Sequence, residues 1–364
     1  MKCFLSALRE SMASPMMIIL MALAGTYIAA GYLLAAYYDW PVALHTQLYS
    51  NAMRFGTMWF VLGLIAYRSF YIMIFQRPHR LTRAILADLH ENYFNTRTLA
   101  HGLPVIVLFA VMFSVFTSFK SMIPVIVPFR FDPLFAEMDR LLHFGHYPWE
   151  LMFPVLKIAL LTTILSFIYK TWFIAKFCVL YWQAFSLKHP QLRARFFITY
   201  MLSWIINGTI LATIFSSAGP CFYGQVTGLL DPYATQIAFL HESDKILPVW
   251  DDLFAQDYLW KAYKDVSITL FSGISAMPSM HISLSFLFTL LGWKVGRKTG
   301  IFFTVYLVLM MIGSVHLGWH YAIDGYFAIL TTGLMWMAVG WVLKRQQAAA
   351  AMALAAAEPT RSSQ

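Results

Sequence analysis

Charge is scarce in this sequence. Only 12% of its 364 residues are Asp, Glu, Lys or Arg, where a water-soluble domain carries about 25%. A water-soluble core is therefore excluded as the organising principle. Cysteine is scarcer still: Cys3, Cys178 and Cys221 are too few and too scattered for a disulfide framework or a zinc ribbon. Acidic residues are outnumbered, 17 against 26 basic ones, for a formal net charge of +9. The basic residues sit in short segments between apolar runs instead of forming a patch, so the excess does not point to nucleic acid, and no nucleic-acid partner is expected. No cleavable leader is evident, because the apolar run after the polar segment Met1–Glu10 is long enough to read as a first span. What the chain has instead is hydrophobic residues, 60% of the total, in stretches that approach or exceed the roughly 20 residues needed to cross a bilayer core. The fold class that follows is all-α, a polytopic membrane helical bundle.

Eight spans are predicted, at 15–39, 57–75, 102–119, 151–185, 196–216, 277–293, 300–318 and 323–343. The fourth is too long for one perpendicular helix and contains Lys157, Lys170 and Lys176, so a tilt, a kink, or a break into a span and an interfacial piece is expected. Alternate loops differ in basic content. The side holding both termini, 76–101, 186–195 and 294–299 carries fifteen Lys and Arg, and the side holding 40–56, 120–150, 217–276 and 319–322 carries seven. The positive-inside rule then places both termini in the cytoplasm of an inner or plasma membrane protein. Segment 217–276, with Asp231, Glu242, Asp244, Asp251, Asp252, Asp257, Asp265, Trp250 and Trp260, reads as a partly ordered extracytoplasmic cap. Residues 131–150, with Asp132, Asp139, His143, His146 and Trp149, read as a second interfacial element on that side. Residues 1–345 form a single transmembrane domain without internal repeats, followed by an Ala-rich and then polar tail, 346–364, expected to be disordered.

Two segments carry chemistry. Ala276-Met277-Pro278-Ser279-Met280-His281 opens the sixth span. Pro suits the first turn of a helix, and the free amides that follow it make a natural phosphate cradle. Ser279 adds a hydroxyl, and His281 lies one turn further in. The plainer alternative is an interfacial histidine at a helix start. Gly313-Ser314-Val315-His316-Leu317-Gly318-Trp319-His320-Tyr321-Ala322-Ile323-Asp324 joins the seventh span to the eighth. In a continuous helix His316, His320 and Asp324 would share one face, and a carboxylate beside an imidazole fixes its tautomer and stabilises its protonated form. The plainer alternative here is a polar helix end wetted by headgroups, which is also the reading for His316. Ionisable residues at membrane depth are functional candidates by default. The basic 294–299 turn makes one hairpin of spans six and seven, which returns His281 and His320 to the same membrane face.

These residues resemble the type 2 phosphatidic acid phosphatase superfamily, whose second motif reads Pro-Ser-Gly-His and whose third ends in His followed four residues later by Asp. The resemblance covers roughly residues 270–330. It implies that His320 is the nucleophile that forms a phosphohistidine, Asp324 its orienting partner, and His281 the general acid. It further implies substrate contacts from Ser279 and its neighbours Pro278 and Met280, with Ser314, Tyr321 and Lys264 added as candidates near the site. The chain departs from the family pattern in three places. Met280 replaces Gly, Gly313-Ser314 stand where the third motif has Ser-Arg, and no first motif of Lys, six residues and Arg-Pro is found. Arg77-Pro78 has Phe70 in place of that Lys and lies on the wrong side of the membrane.

Those departures resemble one branch, the inositol phosphorylceramide and sphingomyelin synthases and their bacterial relatives, with Ala218-Gly219-Pro220-Cys221-Phe222-Tyr223-Gly224 in place of the first motif. The branch implies transfer of a phospho-headgroup such as phosphoinositol from a phospholipid donor to a lipid acceptor such as ceramide, on the extracytoplasmic face. A diester carries one negative charge where a monoester carries nearly two, so few cationic residues suit a diester. The competing reading is a lipid phosphate or prenyl-diphosphate phosphatase with water as acceptor. A third is a zinc site or non-catalytic protein built on His281, His316, His320 and Asp324. Under the first two readings no metal or other cofactor is expected.

Overall fold

Lipid offers no hydrogen bonds to a backbone, so a chain this apolar must satisfy its amides within helices. The computed structural model describes residues 2–40, 44–248 and 252–357, and every regular element among them is helical. An amphipathic helix α1 (Lys2–Met12) leads through a Ser14 cap into α2 (Pro15–Tyr37). Then come α3 (Ser50–Gln76), α4 (Leu81–Asn92) and α5 (Thr96–Ile126). Two short helices follow, α6 (Asp132–Leu142) and α7 (Pro148–Leu156), then α8 (Ala159–Phe185) and α9 (Pro190–Ile214). Helices α10 (Ala234–Ile246) and α11 (Asp252–Lys264) lie in the segment before α12 (Met280–Val295), α13 (Arg297–His316) and α14 (Ala322–Ala357).

Among the described residues seven helices are long and apolar enough to cross a membrane. The one predicted span not among them is the sixth, α12, apolar but of only 16 residues. It starts at Met280, so Pro278 and Ser279 lie before the helix and Ser279 is its cap, contrary to the expectation that Pro278 occupies the first turn. The predicted fourth span breaks at Lys157-Ile158: α7 ends at Leu156 and α8 starts at Ala159, so Lys157 is exposed between two helices instead of being held inside one. The cap is ordered where described. Trp250 and Asp251 lie outside the described residues, as does the tail from Glu358. The tail before it, which we expected to be disordered, continues α14 as helix to Ala357.

The bundle centres on α12, which packs along α13 and α14; α13 leans on α8, α14 on α9, and α8 on α5. Within α9 the stretch Ser203–Leu211 widens into π-helix. Such a bulge re-aims side chains at functional sites. Here it lets Asn207 Nδ2 donate to Ser283 Oγ at 2.9 Å and to Thr332 Oγ1 at 3.2 Å, which ties α9 to α12 and α14. Arg193, at the start of α9, donates to the carbonyls of Gln183 and Ala184 and so closes the C-terminal end of α8.

Candidate active site

The second and third motifs meet at one end of the bundle. His320 lies in the turn between α13 and α14, and its Nδ1 is 3.2 Å from Asp324 Oδ2. The same oxygen accepts from the Tyr321 amide at 3.0 Å. Asp324 is wholly buried and His320 is 6% exposed. His281, in the first turn of α12, presents its ring to His320 edge to face with centroids 5.7 Å apart. Tyr169 stacks on His281 at 4.6 Å and Trp172 lies 4.3 Å away, both from α8. Burial pushes the His320 imidazole down to about 3, helped by the charge of Lys120 and opposed by the Ala276 carbonyl. It is therefore held neutral, as a nucleophile must be.

The turn carrying His320 is fixed from several directions. Asp139 of α6 accepts from the Ala322 and Ile323 amides at 2.7 and 2.9 Å, which caps α14 and so sets Asp324. Burial raises this carboxyl to about 7, against the pull of those two amides. Asp132, also raised by burial, accepts from the Ala218 and Gly219 amides and from the Tyr321 hydroxyl at 2.8 Å. Gly219 sits at φ +100°, and a Cβ there would stand 2.7 Å from the Trp319 carbonyl. Only glycine permits this approach. From the cap, Gln236 donates to the Val315 and His316 carbonyls and Gln256 to that of Leu317. The Trp319 indole donates to Asp252 at 2.9 Å. Asp252 also accepts from Ser166 and pairs with Lys170 at 3.4 Å, and burial raises its carboxyl.

A cavity of about 740 Å³ opens onto the two histidines. Its walls are chiefly apolar, with many aromatic rings from α5, α8, α9 and the cap, and it also contains Lys120, Lys170, Lys176 and Asp252. Of the substrate contacts expected from sequence, Pro278 and Met280 line it beside His281 and His320. Met280, where the family has Gly, reaches toward Gly208 in the π stretch. The others do not line it. Ser279 is fully buried; its hydroxyl accepts from Ile282 N and its amide donates to the Asp324 carbonyl, so two of the amides expected to cradle phosphate are already bonded. Ser314 is buried and donates to the Met311 carbonyl, and Tyr321 is held behind the site by Asp132. Lys264 is exposed at a second cavity of about 330 Å³, which shares only Gly273 and Ile274 with the first.

His316 is corrected as well. Helix α13 ends at it and α14 starts only at Ala322, so His316, His320 and Asp324 share no helical face. It is fully buried, bonded through Nε2 to Thr162 Oγ1 at 2.9 Å and packed near Phe153 and Phe239, away from headgroups. No group of three or more His, Cys, Asp or Glu placed to hold a metal ion occurs among the described residues, which leaves the zinc reading without a ligand set.

The family model of the PAP2 superfamily matches residues 134–342, from α6 to α14. The chain belongs to the PAP2 superfamily. That superfamily is made up of phosphatases and phosphotransferases, so this integral membrane protein is a phosphatase- or phosphotransferase-type lipid enzyme. No curated protein and no solved structure matches the chain. The match includes Lys170 and Lys176 but not α5, so Lys120 reaches the cavity from outside it. Sequence reasoning had assigned Lys120 to an outer loop and treated Lys170 and Lys176 as a problem of span length. The signal that could have found them is the one applied to the histidines, the cost of an ionisable group at membrane depth. Asp132, Asp139 and Asp252 were seen only as polar residues of interfacial segments.

Proposed function

We propose that this PAP2 enzyme transfers a phospho-headgroup from a phospholipid to a lipid alcohol through a phosphohistidine on His320. The observation that carries the reading is the neutral, carboxylate-backed imidazole of His320 facing His281 across one aromatic-walled cavity. Asp324 accepts a hydrogen bond from Nδ1–H, which fixes the tautomer and leaves the Nε2 lone pair to attack phosphorus. The P–N bond forms as the bond to the leaving alkoxide breaks, and His281 supplies the proton that the alkoxide needs. In the second half the acceptor hydroxyl attacks phosphorus, the P–N bond breaks, and the acceptor's proton returns to His281. Aromatic walls exclude water, which favours an alcohol as acceptor. The absence of a third-motif Arg, with Ser314 in its place, and the Ala218-Gly219-Pro220 turn against Trp319 support the synthase-like branch.

A second reading, hydrolysis of a lipid phosphate or prenyl diphosphate, is favoured by Lys120 and Lys176. They supply the positive charge whose shortage in the motifs had argued for a diester. Incubating the purified enzyme with headgroup-radiolabelled phosphatidylinositol plus ceramide, and separately with phosphatidic acid, decides between them. We expect a new labelled lipid. Faster phosphate release from phosphatidic acid than turnover of any diester would establish the hydrolase.

A further inference from the structure

Lys176 of α8 is 97% buried, being 3% exposed, and is surrounded by aromatic rings. Its ammonium lies 4.5 Å from the Trp172 centroid, 5.0 Å from Phe173, 5.4 Å from Phe271 and 5.6 Å from Trp204. Lys120, near the end of α5, lines the same cavity. Among the described residues neither makes an ion pair, and the one carboxylate in the cavity wall, Asp252, is already paired with Lys170. Cation–π contacts offset part of the cost of burying Lys176 but leave its charge uncompensated. Two such ammonium groups lining one cavity repel unless an anion joins them. The stem of Lys120 is held in place: Gly273 crosses it at φ +92°, and a Cβ there would come within 2.9 Å of Lys120 Cγ.

We infer that Lys120 and Lys176 are the anion site of this enzyme, binding the non-bridging oxygens of the phosphoryl group that His320 attacks. The inference rests on the catalytic reading above for where that group sits. It places the cations on α5 and α8, across the cavity from the motif helices, in the role that position 314 cannot fill because Ser314 is buried and bonded to the Met311 carbonyl. The ligand class is a phosphate ester anion. The aromatic shell keeps water from competing and holds Lys176 in one direction, which partly replaces the rigidity an Arg fork would bring.

The probe is orthovanadate, read as inhibition of the purified full-length enzyme by wild type, Lys120→Gln, Lys176→Gln and Lys176→Arg. Each Gln variant should weaken vanadate inhibition and raise KM by about tenfold or more, the loss of one charge-assisted contact. Lys176→Arg should recover most of it. A purely structural lysine would lower thermal stability and leave the inhibition constant alone; inhibition within about twofold of wild type in both Gln variants, at most one charge-assisted contact's noise, overturns the site. Should a variant not fold, protection answers on wild type: inorganic phosphate should shield Lys120 and Lys176 from a small amine-acylating reagent, and unchanged labelling counts against the site. Trapping of a labelled phosphoenzyme is scored separately. Lysine-dependent vanadate binding without a trapped phosphohistidine leaves the anion site standing and removes the covalent mechanism. A trapped phosphohistidine with lysine-independent vanadate binding does the reverse.

Discussion

An imidazole attacks phosphorus only as the neutral base, and burial holds His320 in that form. Its value lies near 3, below the ordinary 6.5, so as pH falls from 7 to 5.5 the nucleophile stays unprotonated and kcat/KM should not fall on its account. His320→Ala should abolish turnover. Asp324→Asn should reduce it by about 10² to 10⁴, since the orienting charge is lost while the geometry remains. His281→Ala should cost most on substrates with basic alkyl leaving groups and least on nitrophenyl esters, because a general acid matters where the departing oxygen is basic. Rate measurements on a series of leaving groups check all three, and equal losses across the series would remove His281 as the acid. At this scale His281, His320 and Asp324 were legible, because a polar triplet of types is rare inside apolar runs and its spacing matches a motif. Ser279 and Tyr321 were legible only as neighbours. Nothing in the order of residues tells a hydroxyl facing a cavity from one that caps a helix or bonds a buried carboxylate.

Helix α14 carries Asp324, and its start is set by a carboxylate from another element. Asp139 caps it through two amides, with its own value raised to about 7 from 3.8 by burial. A raised carboxyl favours the fold in its protonated state, so this contribution is fully present below about pH 4 and is lost as pH rises through 7. Asp139→Asn keeps an acceptor oxygen and has no charge to lose. Its melting temperature in detergent should therefore depend less on pH between about 4 and 7 than that of the wild type, and an unchanged slope would show that Asp139 is not the source. Asp139→Ala removes the cap and should destabilise by about 1 kcal/mol or more. Spans were legible element by element because hydropathy reports burial in lipid directly. A break in the fourth span was among the outcomes its length implied, but its position at Lys157, the late start of α12 and the cap from α6 were not legible. The last two depend on partners distant in sequence, Asp324 at Ser279 and Asp139 at the start of α14, and only the fold brings those partners together.

For the whole molecule, the basic bias of alternate loops predicts which face of the membrane the site opens on. A cysteine placed near Asp257 should react with an impermeant reagent from outside intact cells, and one near Arg297 only after permeabilisation. The reverse would put the catalytic cavity on the cytoplasmic face. Helix α3 supplies none of that cavity's lining, and only 6% of its spanning window is buried within the chain. The family match starts after it, at residue 134, so α2, α3 and the whole of α5, which brings Lys120 to the cavity, lie outside the match.

The shortness of α12 has a consequence for depth. Sixteen residues span about 24 Å at 1.5 Å each, whereas the hydrocarbon layer is about 30 Å thick. With its Lys294 end at one headgroup layer, its His281 end stops several ångströms short of the other, beneath the plane where phosphates float. A lipid's phosphate must then descend to be cleaved while its acyl chains stay in the leaflet. We expect the bilayer to be thinned or dimpled above the site, so that the substrate is worked on from the side without being lifted out of the membrane.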